Sequence, residues 1–377
     1  MKRLTFLFFF SQFFILGLFA EDITISSAEE FIAFQKSVND LEEGFDYSGS
    51  TIYLANDINL EDIDWIPIGT EGRPFRGTFD GKGHWIHNLT VKVEGGLHAG
   101  LFGVIGENGV VRQVGISSGT VGIISKPTLY PNSECYSGGI AGQNYGTISQ
   151  CANLATIYGN QTFANVGGIV GMIASIENTE IYGVVENCYN LGRLYTSKDY
   201  EQHNYLGGIA GNCDDGTISR VYVDASIESG SISSPRVGGI VAVQTFDSDV
   251  SNAYYSEGNA YYDENDDRCG ESMLGKALDG KLNDPQGDYS IWSFAEGRLP
   301  LLTCMLELLK GDVNMDGQVS TADVTALVNI ILGKDNVPPY QYDHVAANVN
   351  EDEGVSIADV TALVNIILGK EEEITSP

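Results

Sequence analysis

One short pattern recurs five times in the middle of this chain, and it limits the possible folds more than any other feature. The copies read AGLFG from Ala99, GGIAG from Gly138, GGIVG from Gly167, GGIAG from Gly207 and GGIVA from Gly238. A second pattern follows each copy after a variable gap: GVVRQV from Gly109, GTISQC from Gly146, GVVENC from Gly183, GTISRV from Gly216 and SDVSNA from Ser248. Self-similarity of this kind is the signature of a repeat architecture.

Alignment of the copies produces columns of similar side chains. One column contains Val111, Ile148, Val185, Ile218 and Val250, and another contains Val114, Cys151, Cys188, Val221 and Ala253. Short β-branched strands of this kind bury their apolar row when each coil stacks on the next, about 4.8 Å away. A β-propeller also repeats at about 40 residues, but these strands are very short and the gaps vary. The pattern therefore predicts a mainly β fold, a right-handed parallel β-helix.

The repeats resemble the GLUG-repeat family of bacterial surface and secreted proteins. IYLANDINL, WIPIG and PFRGTFDGKGHWIHNLTV resemble the segment that precedes such repeats, and IWSFAEGRLPLL resembles their exit, so the resemblance covers residues 22–303. It implies a β-helix on a surface or secreted protein. Members of the family range from adhesin-like proteins to segments of large peptidases, so the resemblance does not select an activity.

The N-terminus predicts export. A basic start is followed by an apolar run from Leu4 to Phe19 and by Ala20, which suits signal-peptide cleavage. A membrane anchor is the alternative, but Ser11 and Gln12 interrupt the run, which is short for a span. The chain has 20 basic and 51 acidic residues and a net charge of −31. Such a charge repels phosphate and excludes nucleic acid and anionic lipid as partners.

Near the C-terminus a segment that combines an oxygen-rich loop with a predicted apolar helix is duplicated. The copies read GDVNMDGQVSTADVTALVNIILGK from Gly311 and ANVNEDEGVSIADVTALVNIILGK from Ala347. Calcium takes six to eight oxygens around a sharply turned loop, supplied largely by alternate residues. The first loop offers Asp312, Asn314, Asp316, the Gln318 carbonyl, Ser320 and Asp323, and the second offers Asn348, Asn350, Asp352, Ser356 and Asp359. Ser320 and Asp323 also match a capping box, which needs no metal.

The two copies differ in the loop and agree in the helix. Glu353 replaces the loop glycine in the second copy, which also has fewer carboxylates, so we expect weaker calcium binding there. The helices carry matched apolar faces and are expected to pack on each other. The faces comprise Val324, Leu327, Val328, Ile331 and Leu332 in one helix and Val360, Leu363, Val364, Ile367 and Leu368 in the other.

This duplicated unit, residues 311–370, resembles a type I dockerin. The resemblance implies calcium-dependent folding and binding to a cohesin-like domain on an extracellular scaffold of polysaccharide-degrading enzymes. It also implies partner contacts at the tenth and eleventh places of each loop, here Thr321, Ala322, Ile357 and Ala358.

Catalytic motifs are not supported by their sequence context, so the catalytic residues are left unassigned. GISSG from Gly115 has the G-x-S-x-G form of a serine-hydrolase elbow, but it lies in the β repeats rather than at a strand-to-helix turn. GESMLGKA from Gly270 has Ala277 where a P-loop needs Ser or Thr. His84 and His87 are three residues apart in a predicted strand, which places them on opposite faces.

Other residues leave two alternatives open. A group of acids could serve a polysaccharide lyase or glycoside hydrolase, although a solvated outer face is the preferred interpretation: Asp214, Asp215, Asp224, Glu228, Asp247 and Asp249. Tyr254, Tyr255, Tyr261 and Tyr262 either stack on sugars or pack at the end of the solenoid. Cys151 and Cys188 are expected in the apolar ladder, and four cysteines remain candidates for disulfides: Cys135, Cys213, Cys269 and Cys304.

The predicted organisation has seven parts. They are a signal peptide (1–20), an entry segment (21–98), GLUG-like repeats (99–256), a capping segment (257–304), a linker (305–310), the dockerin-like module (311–370) and an acidic tail (371–377). The predicted function is a non-catalytic, secreted, extracellular or cell-surface adhesin or glycan-binding β-helix, held on a scaffold by a calcium-dependent dockerin–cohesin contact. The alternatives are a polysaccharide-degrading enzyme and a structural surface protein.

Overall fold

The structure, a computed structural model, describes residues 22–40, 42, 44–126, 132–176, 179–196, 204–229, 236–256, 271–272, 282, 291–293, 299–305, 311–313, 319–333, 347–350, 352 and 354–370. The predicted signal peptide, the acidic tail and most of the linker lie outside these residues.

The main body is a solenoid of short parallel strands stacked coil upon coil. Its largest sheet has 14 strands in two rows that merge where the longest strands run through both. The first row comprises Ile23–Ile25, Thr51–Leu54, Thr78–Asp80, Val110–Arg112, Thr147–Ser149, Val184–Glu186, Thr217–Val223 and Asp249–Tyr255. The second row comprises Ile58–Asn59, Trp85–His87, Gly115–Ile116, Ala152–Asn153, Tyr189–Asn190 and Glu271–Ser272.

Three further sheets of five parallel strands complete the coils. The first comprises Leu89–Glu94, Gly119–Ser125, Thr156–Gly159, Leu194–Thr196 and Ile227–Glu228. The second comprises His98–Ala99, Cys135–Gly138, Ala164–Gly167, Tyr205–Gly207 and Arg236–Gly238. The third comprises Phe102–Ile105, Ala141–Asn144, Val170–Ile173, Ala210–Cys213 and Val241–Gln244. The expectation of a mainly β, parallel solenoid is confirmed, and the propeller alternative is wrong because propeller blades are antiparallel.

The predicted columns are the ladders of the solenoid. Ile148 pairs with Val111 on one side and with Val185 on the other, and Ile218 continues the ladder from Val185 to Val250. The first four of these side chains are fully buried, as are Cys151 and Cys188 in the second column. The sequence columns therefore predicted the register of the sheet.

The repeated glycines are explained by a tight corner between the second and the third five-stranded sheet. A Cβ on Gly167 would lie 1.9 Å from the carbonyl oxygen of Val170, and one on Gly207 would lie 1.8 Å from that of Ala210. No side chain fits at such distances, so the first glycine of each of these two GG pairs is required by the coil itself.

A helix that the sequence analysis did not predict covers the first coils. Helix α1, Ala28–Asn39, begins at Ser27, whose hydroxyl accepts from the N–H of Glu30. Phe31 and Phe34 are buried in the solenoid core, where the Phe31 ring lies 5.7 Å from that of Phe79. Along the second row of the largest sheet, the antiparallel pair Trp292–Ser293 and Leu301–Leu302 and the 3₁₀ turn Thr303–Met305 contribute to a second apolar cluster with Tyr189, Tyr222 and Tyr254.

The described residues of the duplicated C-terminal segment include two eleven-residue helices. They are α2, Thr321–Ile331, and α3, Ile357–Ile367, which share a small core with Leu327 and Leu363 at its centre. Each begins with a complete capping box, Ser320 with Asp323 and Ser356 with Asp359. None of the helices in the described part of the chain is long and apolar enough to span a bilayer.

Candidate functional site

The second oxygen-rich loop is organised around the carboxylate of Asp359. This side chain is fully buried. Its Oδ1 accepts from the main-chain N–H of Asn350 at 3.1 Å, and its Oδ2 accepts from that of Ser356 at 2.7 Å. The carboxylate therefore joins the loop to the first turn of α3.

The rest of this loop presents further oxygens towards its own centre. Asn350 Oδ1 accepts from Asp352 N–H at 3.1 Å, and Asp352 Oδ1 accepts from Gly354 N–H at 3.0 Å. Asn348 Nδ2 donates to the Asp352 carbonyl at 2.7 Å, whereas the buried Asn348 Oδ1 has no hydrogen-bond partner within the described residues. A buried acceptor without a donor costs about 1–3 kcal/mol, and a cation would satisfy it. Amide and carboxylate oxygens at alternate positions fit calcium.

In the first loop, the described residues show the same buried carboxylate at the start of the helix. Asp323 is fully buried, accepts from Ser320 N–H at 2.8 Å through Oδ2 and occupies the place of Asp359. Asp312, at the first ligand place, is 7% exposed. Asn314, Asp316 and Gln318 lie outside the described residues. Within those residues, no group of three or more His, Cys, Asp or Glu side chains is arranged to hold a metal.

The helix pair exposes an apolar surface beside the loops. The predicted partner-contact residues Thr321, Ala322, Ile357 and Ala358 are all exposed, at the start of α2 and α3. Three apolar residues assigned by sequence to the packed faces are also exposed. They are Val364 in α3, to 37%, and the residues that directly follow the two helices, Leu332 to 62% and Leu368 to 59%. For these three residues the assignment is wrong, because the core is narrow. It is confirmed for the residues that pack in the shared core, Val324, Leu327, Ile331, Val360, Leu363 and Ile367.

A second polar cluster forms around Asp57. His84 Nδ1 lies 3.1 Å from Asp57 Oδ1, and His87 Nε2 lies 3.3 Å from Asp57 Oδ2. The opposite ring nitrogen of His87, Nδ1, lies 2.5 Å from Ser117 Oγ. The prediction that His84 and His87 lie on opposite faces is wrong, because the strand begins only at Trp85 and the preceding turn brings His84 back to the same carboxylate.

Four of the acids singled out in the sequence line two adjoining depressions on the solenoid surface. Asp215, Asp247 and Asp249 lie with Glu180 and Tyr182 around an open depression of about 640 Å³. Asp214 lines the neighbouring one. Asp224 and Glu228 lie elsewhere, and Glu228 pairs with Arg193 at 2.6 Å. The sequence did not predict that Glu180 and Tyr182 lie beside these acids, because both residues are in an irregular segment between repeats.

The other aromatic and cysteine candidates are structural. Tyr254 and Tyr255 are buried, to 4% and 8% exposure, so they pack rather than stack on sugars. Tyr261 and Tyr262 lie outside the described residues, as does Cys269. The remaining candidates for disulfides, Cys135, Cys213 and Cys304, are free thiols. Burial raises the pKa of Cys135 to about 12, that of Cys213 to about 11 and that of Cys304 to about 12, so none is a reactive thiolate at neutral pH.

Comparisons with known proteins cover only parts of the chain or of its relatives. No family model matches the chain. A protein of Evansella cellulosilytica named "Putative Gly-rich membrane protein" is 33% identical over 116 residues, which are 29% of this chain and 12% of that protein. Halomucin of Haloquadratum walsbyi is 32% identical over 101 residues, 27% of this chain and 1% of halomucin. The matched segment is therefore a small part of both relatives.

Solved structures also show similarity. One, described as a "putative immunoglobulin A1 protease from Bacteroides ovatus", has a TM-score of 0.48 at 18% identity and covers 74% of this chain and 92% of that one. Another, described as "IgA1 Protease", has a TM-score of 0.36 at 16% identity and covers 93% of this chain and 28% of that one.

Proposed function

We propose that this chain is a secreted β-solenoid of the GLUG-repeat type that binds a glycan or a surface, and that its C-terminal helix pair is a calcium-dependent, dockerin-like attachment module. The observation that carries this proposal is the apolar surface of Ile357, Val364 and Leu368 beside a loop with inward-facing oxygens. Exposed apolar side chains beside a polar rim are typical of protein interaction sites. The partner we propose is a cohesin-like domain.

Calcium would be held by the oxygens of the two loops. Asn348, Asn350, Asp352 and Asp359 would hold it in the second loop, and Asp312 and Asp323 would contribute in the first, with Ser320, Asn314, Asp316 and the Gln318 carbonyl. When bound, the ion supplies positive charge to buried carboxylates and fixes the loop against the helix. The capping boxes hold Asp323 and Asp359 at the starts of the two helices, where each carboxylate faces its loop.

An extracellular location agrees with the chain's composition. The proposed signal peptide and the net charge of −31 suit an exported protein in a calcium-rich medium. The five thiols of the described residues form no disulfide, and four of them are buried. Within the described residues the solenoid is thus held by its ladders and not by disulfides.

Calorimetric titration with purified type I cohesin domains tests the attachment. We expect binding in calcium and its loss in EDTA. Val364→Asp should weaken binding at least about tenfold, because it places a charge in the apolar contact. Ile66→Asp is the matched control, since Ile66 is a 62% exposed isoleucine on the solenoid. Binding that survives EDTA or Val364→Asp would contradict the proposed attachment.

The depression around Tyr182 favours a glycan as the ligand of the solenoid. An exposed tyrosine ring can stack on a sugar, and carboxylates can accept from its hydroxyl groups. Retention on a panel of polysaccharides should fall for Tyr182→Ala and for Asp247→Asn. Release of new reducing ends that disappears in Asp247→Asn would instead support a glycoside hydrolase. Neither retention nor cleavage by any member of the panel would favour a structural surface protein.

A further inference from the structure

Ser117, His87 and Asp57 form a connected chain that neither the attachment module nor the glycan depression uses. Ser117 Oγ lies 2.5 Å from His87 Nδ1, and His87 Nε2 lies 3.3 Å from Asp57 Oδ2. In the tautomer that carries its proton on Nε2, His87 accepts from the serine and donates to the carboxylate. A hydroxyl, a base and an acid that orients the base are the three parts of an activated nucleophile.

The carboxylate at the end of this chain is held in place and ionised. Partial burial opposes its ionisation, but the main-chain N–H of Trp85, at 2.9 Å, and the rings of His84 and His87 together outweigh it and hold the pKa of Asp57 below its ordinary value. An ionised Asp57 stabilises the imidazolium that forms when His87 takes a proton.

Stacking of the coils, rather than a flexible loop, sets the geometry. Asn59, just after Asp57, pairs with His87, and the strand Gly115–Ile116 pairs on the other side of Trp85–His87. Ser117 continues from that strand and its N–H donates to the Ile86 carbonyl at 3.0 Å. Each of the three side chains thus comes from a different coil of one ladder.

The glycines of GISSG have other causes, so the motif itself is not evidence for catalysis. A Cβ on Gly115 would lie 2.3 Å from the Trp85 ring, and Gly119 has φ +128 with its Cβ position 2.0 Å from the Leu89 carbonyl oxygen. These are requirements of coil packing. The contact between Ser117 and His87 is a separate observation that the spacing could not reveal.

We propose that Ser117 is the nucleophile of an esterase site that removes small acyl groups from esters carried on larger molecules. The site is open, with His87 38% and Asp57 45% exposed, which suits an acyl group presented on a polymer. The N–H of Ser118, the following residue, donates no hydrogen bond within the described residues and can stabilise the oxyanion. This activity goes beyond the proposed attachment and binding function and does not depend on it.

The reaction proceeds in two steps, acylation of Ser117 and hydrolysis of the acyl-serine. Ser117 Oγ forms a bond to the acyl carbon while its proton passes to His87 Nδ1. The ester C–O bond then breaks, and the leaving oxygen takes that proton and departs as an alcohol. Water next attacks the acyl-serine, loses a proton to His87 Nδ1 and releases the carboxylic acid, and the proton returns to Ser117 Oγ.

Hydrolysis of p-nitrophenyl acetate by the full chain, together with labelling by a fluorophosphonate reagent, tests this proposal. We expect one adduct, located on Ser117 by fragment mass spectrometry. Ser117→Ala should abolish the adduct and the enzyme-dependent rate, and His87→Gln should reduce both about 100-fold, the typical contribution of a general base. Ser125→Ala, an exposed serine on the same coil, is the control and should behave like the wild type.

Two results would overturn the proposal. One is an adduct at Ser118 or elsewhere with none on Ser117. The other is a rate that Ser117→Ala leaves unchanged, which would assign the hydrolysis to a histidine alone. Circular dichroism of each variant separates loss of function from loss of fold, and His87→Gln retains a hydrogen-bonding side chain at the same place. Cohesin binding should be the same in all of these variants.

Discussion

The solenoid and the C-terminal helix pair differ in core size and in how they hold a buried carboxylate. Asp80 of the solenoid is 1% exposed and pairs with Arg112 at 2.9 Å, whereas Asp323 and Asp359 accept from main-chain N–H groups. The solenoid has one continuous apolar core in which each coil covers the next, for example Val111, Ile148 and Val185. The helix pair has five fully buried or nearly buried apolar residues, Val313, Leu327, Ala347, Val349 and Leu363, beside the buried carboxylates of Asp323 and Asp359. A buried carboxylate is costly unless it is paired. We therefore expect the solenoid to fold on its apolar core alone, whereas the helix pair is where we propose that calcium binds.

Chelation should separate the two regions most strongly. At free calcium a thousandfold above the dissociation constant, one bound ion stabilises the folded state by about 4 kcal/mol. We expect EDTA to abolish or greatly lower the calorimetric transition of the helix pair and to leave that of the solenoid unchanged. If the C-terminal transition does not respond to EDTA, the helix pair does not depend on calcium for folding and does not differ from the solenoid in this respect.

A ladder substitution should have the converse effect. Ile148→Ala removes buried methyl groups between two paired coils and is expected to lower the free energy of unfolding of the solenoid by about 3 kcal/mol. Urea unfolding monitored by circular dichroism measures it, with Ile66→Ala as the exposed control, expected within about 0.5 kcal/mol of the wild type. If Ile148→Ala and Ile66→Ala lowered the free energy of unfolding equally, the ladder would not depend on burial of Ile148.

The two loops offer a finer comparison inside the helix pair. Asp312→Ala is expected to weaken calcium binding about tenfold more than Asn348→Ala, because charge on the ligands sets the affinity of such loops. Conversely, Asn348→Asp should tighten the second site. Calorimetric calcium titration of the full chain distinguishes the sites. If Asp312→Ala and Asn348→Ala weakened calcium binding equally, the two loops would be equivalent.

A fall in pH should have the smallest of these effects on stability, and we expect it in the solenoid, which contains His98. Burial lowers the pKa of His98, although a hydrogen bond with Gln143 opposes this. The folded state therefore prefers neutral His98, whose stabilising contribution is complete above the unfolded pKa of about 6.5 and is lost as the pH falls through it. The thermal midpoint of the solenoid should fall between pH 7.5 and pH 5.5, and by less in His98→Gln. Identical pH dependence in the two proteins would exclude His98 as a cause.

Sequence reasoning predicted what is periodic in this molecule. The column of Val111 became a ladder because every coil repeats the same environment, and the first C-terminal helix begins at the predicted capping residue Ser320. Helix α1 was missed although Ser27 and Glu30 form an S-x-x-E signal, because the segment was interpreted only as an entry to the repeats.

What the sequence could not predict are contacts between coils that involve residues outside the repeats. Asp57, His87 and Ser117 are far apart in the chain, and they meet only because the coils stack in one register. The depression around Tyr182 has the same origin, since Glu180 lies between repeats while Asp215 and Asp247 lie at turns. Such sites depend on the coil length, which no local pattern fixes.

Helix α1 also determines how this molecule meets its neighbours. An uncapped solenoid ends in an apolar layer and in strand edges whose unpaired N–H and C=O groups can accept another strand. Head-to-tail contacts of that kind do not close and therefore grow into fibres. Because Phe31 and Phe34 cover the core at the first coils, that end of the stack is protected from end-to-end polymerisation. A twelve-residue helix thereby favours discrete particles over filaments.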